Sequence, residues 1–119
     1  MTDGVRPPFA HPVEAEFAAI LDFYGIPWQY EPRTFVLERD SQGRIAEAFS
    51  PDFYLPDQDL YVELTTMQPS QIRHKNRKLK RLRELRPELN IKLFKRGDIR
   101  NLLLKFGVED ANDMMANEL

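Results

Sequence analysis

The chain has 119 residues, 42% of them hydrophobic, no cysteine and a formal charge of −2. That excludes a disulfide scaffold and thiolate metal sites, and it leaves enough length for one domain with one core. No apolar run approaches ~20 residues, so no membrane span is expected, and with no hydrophobic signal core the expected location is cytoplasmic. The near-neutral total conceals a split. Residues 1–63 carry 12 acids against 4 Lys/Arg, residues 64–105 carry 13 Lys/Arg against 3 acids, and residues 106–119 add 4 acids and no base. Such asymmetry suits a protein that holds cations on one part and polyanions on another, although long solvated helices also carry such charge.

Residues 1–12, with Pro7, Pro8 and Pro12, show little periodicity and read as a flexible arm that could serve a dimer. Residues 13–107 read as a single domain. The first helix is predicted over residues 13–24. Val13, Phe17, Ile20, Leu21 and Tyr24 form one apolar stripe, Pro12 suits the first turn, and Gly25 suits the position beyond the end. Glu14 and Glu16 flank the stripe, where acids also favour the helix dipole. Strands are predicted over 26–31 and 34–38, separated by Pro32, with Glu31 at the end of the first. Trp28 and Tyr30 alternate there, as core packing or as platforms for bases. Residues 40–43 form a turn. Residues 45–55 are extended, with Pro51 marking an edge or bulge beside Asp52.

Residues 50–65, SPDFYLPDQDLYVELT, read as a hairpin. Phe53, Tyr54 and Leu55 precede a turn at Asp57-Gln58-Asp59, and Leu60, Tyr61 and Val62 follow it. Asp52 and Glu63 stand nearly equidistant from that turn, so pairing of the arms brings two carboxylates together. Two such groups repel unless a proton or a cation lies between them, and a hard divalent cation is the functional reading. Alternation puts Tyr61, Glu63 and Thr65 on one face and Leu60, Val62 and Leu64 on the other.

A second helix is predicted over residues 70–86, with Ser70 as its cap and Pro87 beyond it. Its apolar stripe is Ile72, Leu79, Leu82 and Leu85. At about 100° per residue Lys75 falls at the centre of that stripe, and Lys78 is the next nearest lysine. A lysine there needs an anionic partner, which the hairpin carboxylates could supply, or else snorkels to water. Residues 90–95 read as the last strand and residues 98–106 as a short helix capped by Asp98. Residues 108–119 read as an acidic tail or short helix.

The element order is α/β. With Pro51-Asp52, ten intervening residues and Glu63-Leu64-Thr65, the chain resembles the PD-(D/E)xK nuclease superfamily. Pro51-Asp52 matches the PD, and Glu63-Leu64-Thr65 matches (D/E)xK. Glu14, within HPVEAEFAAILDFYGIPWQYEP, resembles the superfamily's first-helix glutamate. The resemblance covers residues 14–94, and it is strongest to small stand-alone nucleases of the very-short-patch-repair, Holliday-junction-resolvase and transposon-end-cleaving kinds. Thr65 departs from the pattern by occupying the lysine position. Superfamily members are known to move that lysine to the following helix, where Lys75 stands.

The resemblance implies a restriction-endonuclease-like core, a mixed central β-sheet of about four to five strands flanked by helices. It implies an Mg²⁺-dependent endonuclease hydrolysing DNA phosphodiester bonds, with Mn²⁺ as a substitute metal. Asp52, Glu63 and the Leu64 carbonyl are the implied metal ligands. Glu14, Asp52, Glu63 and Lys75 are the implied catalytic set, with Lys75 assisting the attacking water. Thr65, Lys78 and Glu31 are lesser candidates. Arg73, Arg77, Lys80 and Arg81, with Lys95 and Arg96 after them, are the implied phosphate contacts. Cutting both strands would take a homodimer or a partner. The alternative is a non-cutting, partner-dependent DNA-binding subunit of a repair, restriction or transposition complex. A third expectation, a structural or regulatory domain with a solvated basic helix, predicts no salt-dependent nucleic-acid affinity.

Overall fold

The computed structural model describes residues 7–65, 68–95, 97–98 and 101. The first six residues of the expected arm, Arg96, most of the expected helix at 98–106 and the tail at 108–119 lie outside the described residues.

Helix α1 (Pro12–Phe23) forms where its apolar stripe was expected. Pro12 occupies the first turn, where its missing N–H costs nothing. The Nδ1 of His11 accepts the Val13 N–H at 3.1 Å and caps the helix. The helix stops in a Schellman motif. Gly25 takes φ 68°, its N–H donates to Asp22 O at 3.1 Å, and the Ile26 N–H donates to Leu21 O at 2.8 Å. A left-handed φ is what demands glycine at that position.

Four strands make a mixed sheet in the order β1 (Gln29–Tyr30), β4 (Phe53–Leu55), β5 (Leu60–Leu64), β6 (Ile91–Phe94). The first two pairings are antiparallel and the last is parallel. Strands β2 (Phe35–Arg39) and β3 (Ile45–Phe49) form a separate antiparallel pair. The extended run expected over residues 45–55 is therefore two strands in two sheets. Pro51, fully buried at the break, has no N–H to continue a ladder. Among the described residues the central sheet has four strands, at the lower end of the expected range, and there β2 and β3 pair with each other and not with it.

The hairpin forms with the expected symmetry, pairing Phe53 with Val62, Tyr54 with Tyr61 and Leu55 with Leu60. Its loop is residues 56–59, one residue longer than the expected turn. Asp59 takes φ 49° and accepts from the Tyr54 hydroxyl at 2.8 Å. Strand β5, with partners on both sides, is buried along its length. Its two faces serve two cores. Leu60, Val62 and Leu64 pack with Phe17, Leu21 and Phe53 on the α1 side. Tyr61 packs with Phe35, Phe49 and Ile91 on the other side, together with Leu79 and Leu82 of helix α2 (Pro69–Leu85).

Helix α2 starts one residue earlier than expected. Gln68 is its cap residue and makes no side-chain cap bond, so Ser70 lies inside the first turn. Leu79 and Leu82 are fully buried, whereas Leu85 is 41% exposed. Leu85 lies about 60° around the helix from Leu82, beyond the edge of the buried stripe. The described end of the expected arm is packed against the fold. The Phe9 ring packs edge-on to Tyr30 at 4.8 Å and near Trp28 and Phe53. Among the described residues no helix is long and apolar enough to cross a membrane.

Phe53 is wholly buried, with Phe17, Trp28 and Tyr30 edge-on around it at 5.0–5.5 Å. Phe53→Ala is expected to cost about 3–5 kcal/mol in urea denaturation. Phe23→Ala, at a residue 70% exposed, is expected to stay within about 0.5 kcal/mol.

Candidate active site

Among the described residues, four polar or charged residues are buried: Glu14, Asp52, Glu63 and Thr65, each 7% exposed. All four are residues that the sequence marks as site candidates. Burying a carboxylate in an apolar fold is costly, so the arrangement around them matters.

Asp52 lies one residue before β4, and the hairpin register sets it opposite Glu63. Here the ladder gives way to a reciprocal exchange. The Asp52 N–H donates to Glu63 Oε1 at 3.1 Å, and the Leu64 N–H donates to Asp52 Oδ2 at 2.9 Å. Each carboxylate thereby satisfies a buried backbone donor on the opposite arm, and the two are locked close together. Burial is the main reason that Asp52 is pushed up to about 8, and the negative charge of Glu63 adds to it. Burial also raises Glu63, against the pull of Lys75. The pair thus retains a proton at a pH where ordinary carboxylates have lost theirs.

Lys75 reaches this pair from the second turn of α2. Its ammonium lies 3.2 Å from Glu63 Oε2 and donates to the Leu64 carbonyl at 2.5 Å. The side chain is 25% exposed, so most of it is covered where it meets the pair. Lys78 goes elsewhere and donates to Ala48 O at 3.3 Å. Of the two candidate lysines, Lys75 is the one on the carboxylates.

Glu14, in the first turn of α1, adds its negative charge to the field at Asp52. Its Oε1 accepts the Tyr30 hydroxyl at 2.6 Å and the Ala10 N–H at 3.1 Å. Tyr30 is thus part of the site's surroundings, a role that the sequence reading missed. The available signal was only that a covered tyrosine hydroxyl needs a partner. Burial, and then the hydrogen bond to Glu14, raise the Tyr30 hydroxyl above its usual range and keep it a donor. Thr65 extends the parallel ladder past β5, its N–H donating to Phe94 O at 3.1 Å. The Glu31 side chain is exposed, and its contribution is through the backbone. It takes a left-handed φ of 44°, and its N–H donates to Asp52 O at 2.9 Å. A non-glycine residue in that region costs about 1–2 kcal/mol, here beside the carboxylates.

The expected phosphate contacts are not beside the carboxylates. Arg73 and Arg77 lie about 160° around α2 from Lys75, Lys80 about 140° and Arg81 about 120°. All four are exposed. Arg77 is paired to Glu47 at 2.7 Å and Arg81 to Glu84 at 3.7 Å. Lys95 is exposed at the end of β6, at the same end of the sheet as Glu63 and Thr65.

Among the described residues no three Asp, Glu, His or Cys side chains lie close enough to share one metal ion. The protein's oxygen donors at this point are two carboxylates and the Leu64 carbonyl. Magnesium is commonly held by one or two carboxylates with waters completing its shell, so this donor set fits it. Glu14, bound to Tyr30 and Ala10, does not join the set as a third carboxylate.

Because Asp52 is raised on folding, this group holds more proton in the folded protein than in the unfolded chain from about pH 4 to about pH 8. Its contribution to stability therefore falls as pH rises through that window. In EDTA, Asp52→Asn is expected to be more stable than the parent at pH 9, by on the order of 2 kcal/mol, with the advantage vanishing toward pH 4. Urea denaturation at the two pH values checks this, and a pH-independent difference would contradict it.

Comparisons with family models, with curated proteins and with solved structures return no match.

Proposed function

We propose that the chain is a metal-dependent deoxyribonuclease of the PD-(D/E)xK kind, with a restriction-endonuclease-like core. The observation that carries this reading is the Asp52–Glu63 pair, two buried carboxylates cross-linked through each other's backbone, with the Lys75 ammonium on Glu63. A purely structural ion pair needs one acid and one base. Here a second acid is held beside the first at a cost in stability, as expected of a site built for a divalent cation and a phosphate.

Asp52, Glu63 and the Leu64 carbonyl are the residues that would hold Mg²⁺ or Mn²⁺. A bound ion of this kind supplies Lewis acidity toward a phosphate oxygen and toward water. Lys75 supplies a mobile positive charge at the same spot, placed to orient the attacking water or to stabilise the developing oxyanion. Glu14, fixed by Tyr30 and Ala10, adds negative field without being a direct ligand. Thr65 replaces the motif lysine on the strand, and with Lys75 on Glu63 a second ammonium there is not required.

DNA would meet the protein in two places. Lys95 is at the site's end of the sheet. Arg73 and Lys80 on the outer side of α2 are suited to phosphates away from the scissile bond, since they face away from Lys75. A homodimer or a partner would supply the second active site needed to cut both strands. The alternative, a subunit that binds DNA without cutting, is favoured by Thr65.

Incubation with supercoiled plasmid, branched DNA and single strands is expected to give cleavage with Mg²⁺ or Mn²⁺ and none with EDTA. Asp52→Ala, Glu63→Ala and Lys75→Ala should each lower the rate by about 100-fold or more, with Lys78→Ala near the parent. Metal-dependent cleavage that survives Asp52→Ala would contradict the proposal, and salt-dependent DNA binding without cleavage would favour the alternative. For Arg73→Ala with Lys80→Ala, the expected result is weaker binding and a salt-dependence slope reduced by about 2, measured by fluorescence anisotropy.

A further inference from the structure

Lys75 does more than pair with an acid. Its ammonium is 3.2 Å from Glu63 Oε2 and 2.5 Å from the Leu64 carbonyl oxygen. Those are two of the three protein groups in the metal donor set. The second carboxylate, Asp52, is joined to both residues by hydrogen bonds through the backbone. From these distances we infer that Lys75 is an internal competitor of the divalent cation, standing on its ligands until the ion arrives and released toward the substrate when it does. The inference rests on the proposed metal-dependent function.

The geometry requires an exchange. Magnesium sits about 2.0–2.1 Å from its oxygens. An ammonium in hydrogen-bond contact with the same two oxygens would lie within a few ångströms of the ion, and two positive charges at that range repel strongly when water is largely excluded. One of them must leave. A lysine can do so without disturbing the fold, because its charge sits on a flexible four-carbon stem. Here the stem starts on the second turn of α2, and the side chain is a quarter exposed. A lysine at position 65 would rise from the same strand as Glu63. Lys75 approaches from the helix instead, so its head can swing outward while Glu63 stays in place. Lys78, bonded to Ala48 O, shares none of these ligands.

The competition also explains how the two carboxylates are tolerated in the free protein, since Lys75 supplies the positive charge that the cation supplies later. Coupling of this kind is reciprocal. If the ion expels Lys75 from Glu63, removing the Lys75 charge must tighten binding of the ion.

The test is Mn²⁺ and Mg²⁺ affinity by isothermal titration calorimetry, with no substrate present. Lys75→Met is expected to bind the ion about tenfold more tightly than the parent or better, and Lys78→Met within about twofold of it. Lysine labelled with ¹⁵N in the unaltered protein gives a second measurement that does not depend on a variant folding. The Lys75 ammonium signal should shift on titration with Mg²⁺ at the same midpoint as the calorimetry. Equal or weaker binding by Lys75→Met, with a Lys75 signal unmoved by saturating metal, would overturn the competition and leave the proposed function standing. No metal binding by the unaltered protein would overturn both.

Discussion

Two carboxylates buried side by side repel each other, and the rest of the structure is arranged around tolerating that repulsion. Asp52 and Glu63 each accept the main-chain N–H of the opposite arm or its neighbour, so neither leaves a buried donor unsatisfied. Lys75 contributes one positive charge, and a retained proton relieves part of the rest. Remove the opposing arm or the helix, and the two acids have no reason to stay inside.

Each element near the site has a task that follows from this constraint. The hairpin register sets the acids opposite each other, and Pro51 ends the upstream ladder so that Asp52 can turn its side chain toward β5. Strand β5 is central and buried on both faces, which excludes water from Glu63. The parallel pairing of β5 with β6 requires a crossover, and the crossover contains α2, which carries Lys75 back over Glu63. Helix α1 contributes Glu14 from the other layer, and Tyr30 with Ala10 fixes it there. Glu14 thus acts on Asp52 through its charge from the α1 side of the sheet, while Lys75 contacts Glu63 from the α2 side.

Much of this was legible in the sequence for a physical reason. Acids inside a β-rich run and a lysine inside an apolar helical stripe conflict with the local pattern, and such conflicts mark sites. Near-equal spacing from the turn was enough to bring Asp52 close to Glu63 but not to fix the register, and helical phase was enough to prefer Lys75 to Lys78. What was not legible depends on tertiary partners. Residues 45–55 read as one extended run, because nothing local says that β3 pairs only with β2 while β4 joins the central sheet. Tyr30 read as core or base platform, because its hydroxyl meets Glu14 only once α1 packs beside β1. The basic residues of α2 were expected as phosphate contacts through the resemblance, while the helical phase, itself legible in the sequence, sets them away from Lys75.

The central claim is that Asp52 and Glu63 form a divalent-cation site guarded by Lys75. Crystals of the protein grown in Mn²⁺, with data collected at the manganese absorption edge, address it directly. The account predicts an anomalous peak bound by Asp52, Glu63 and the Leu64 carbonyl, with the Lys75 ammonium moved off Glu63. Saturating Mn²⁺ that leaves no peak there, with Lys75 still seated on Glu63 and Leu64, would contradict it.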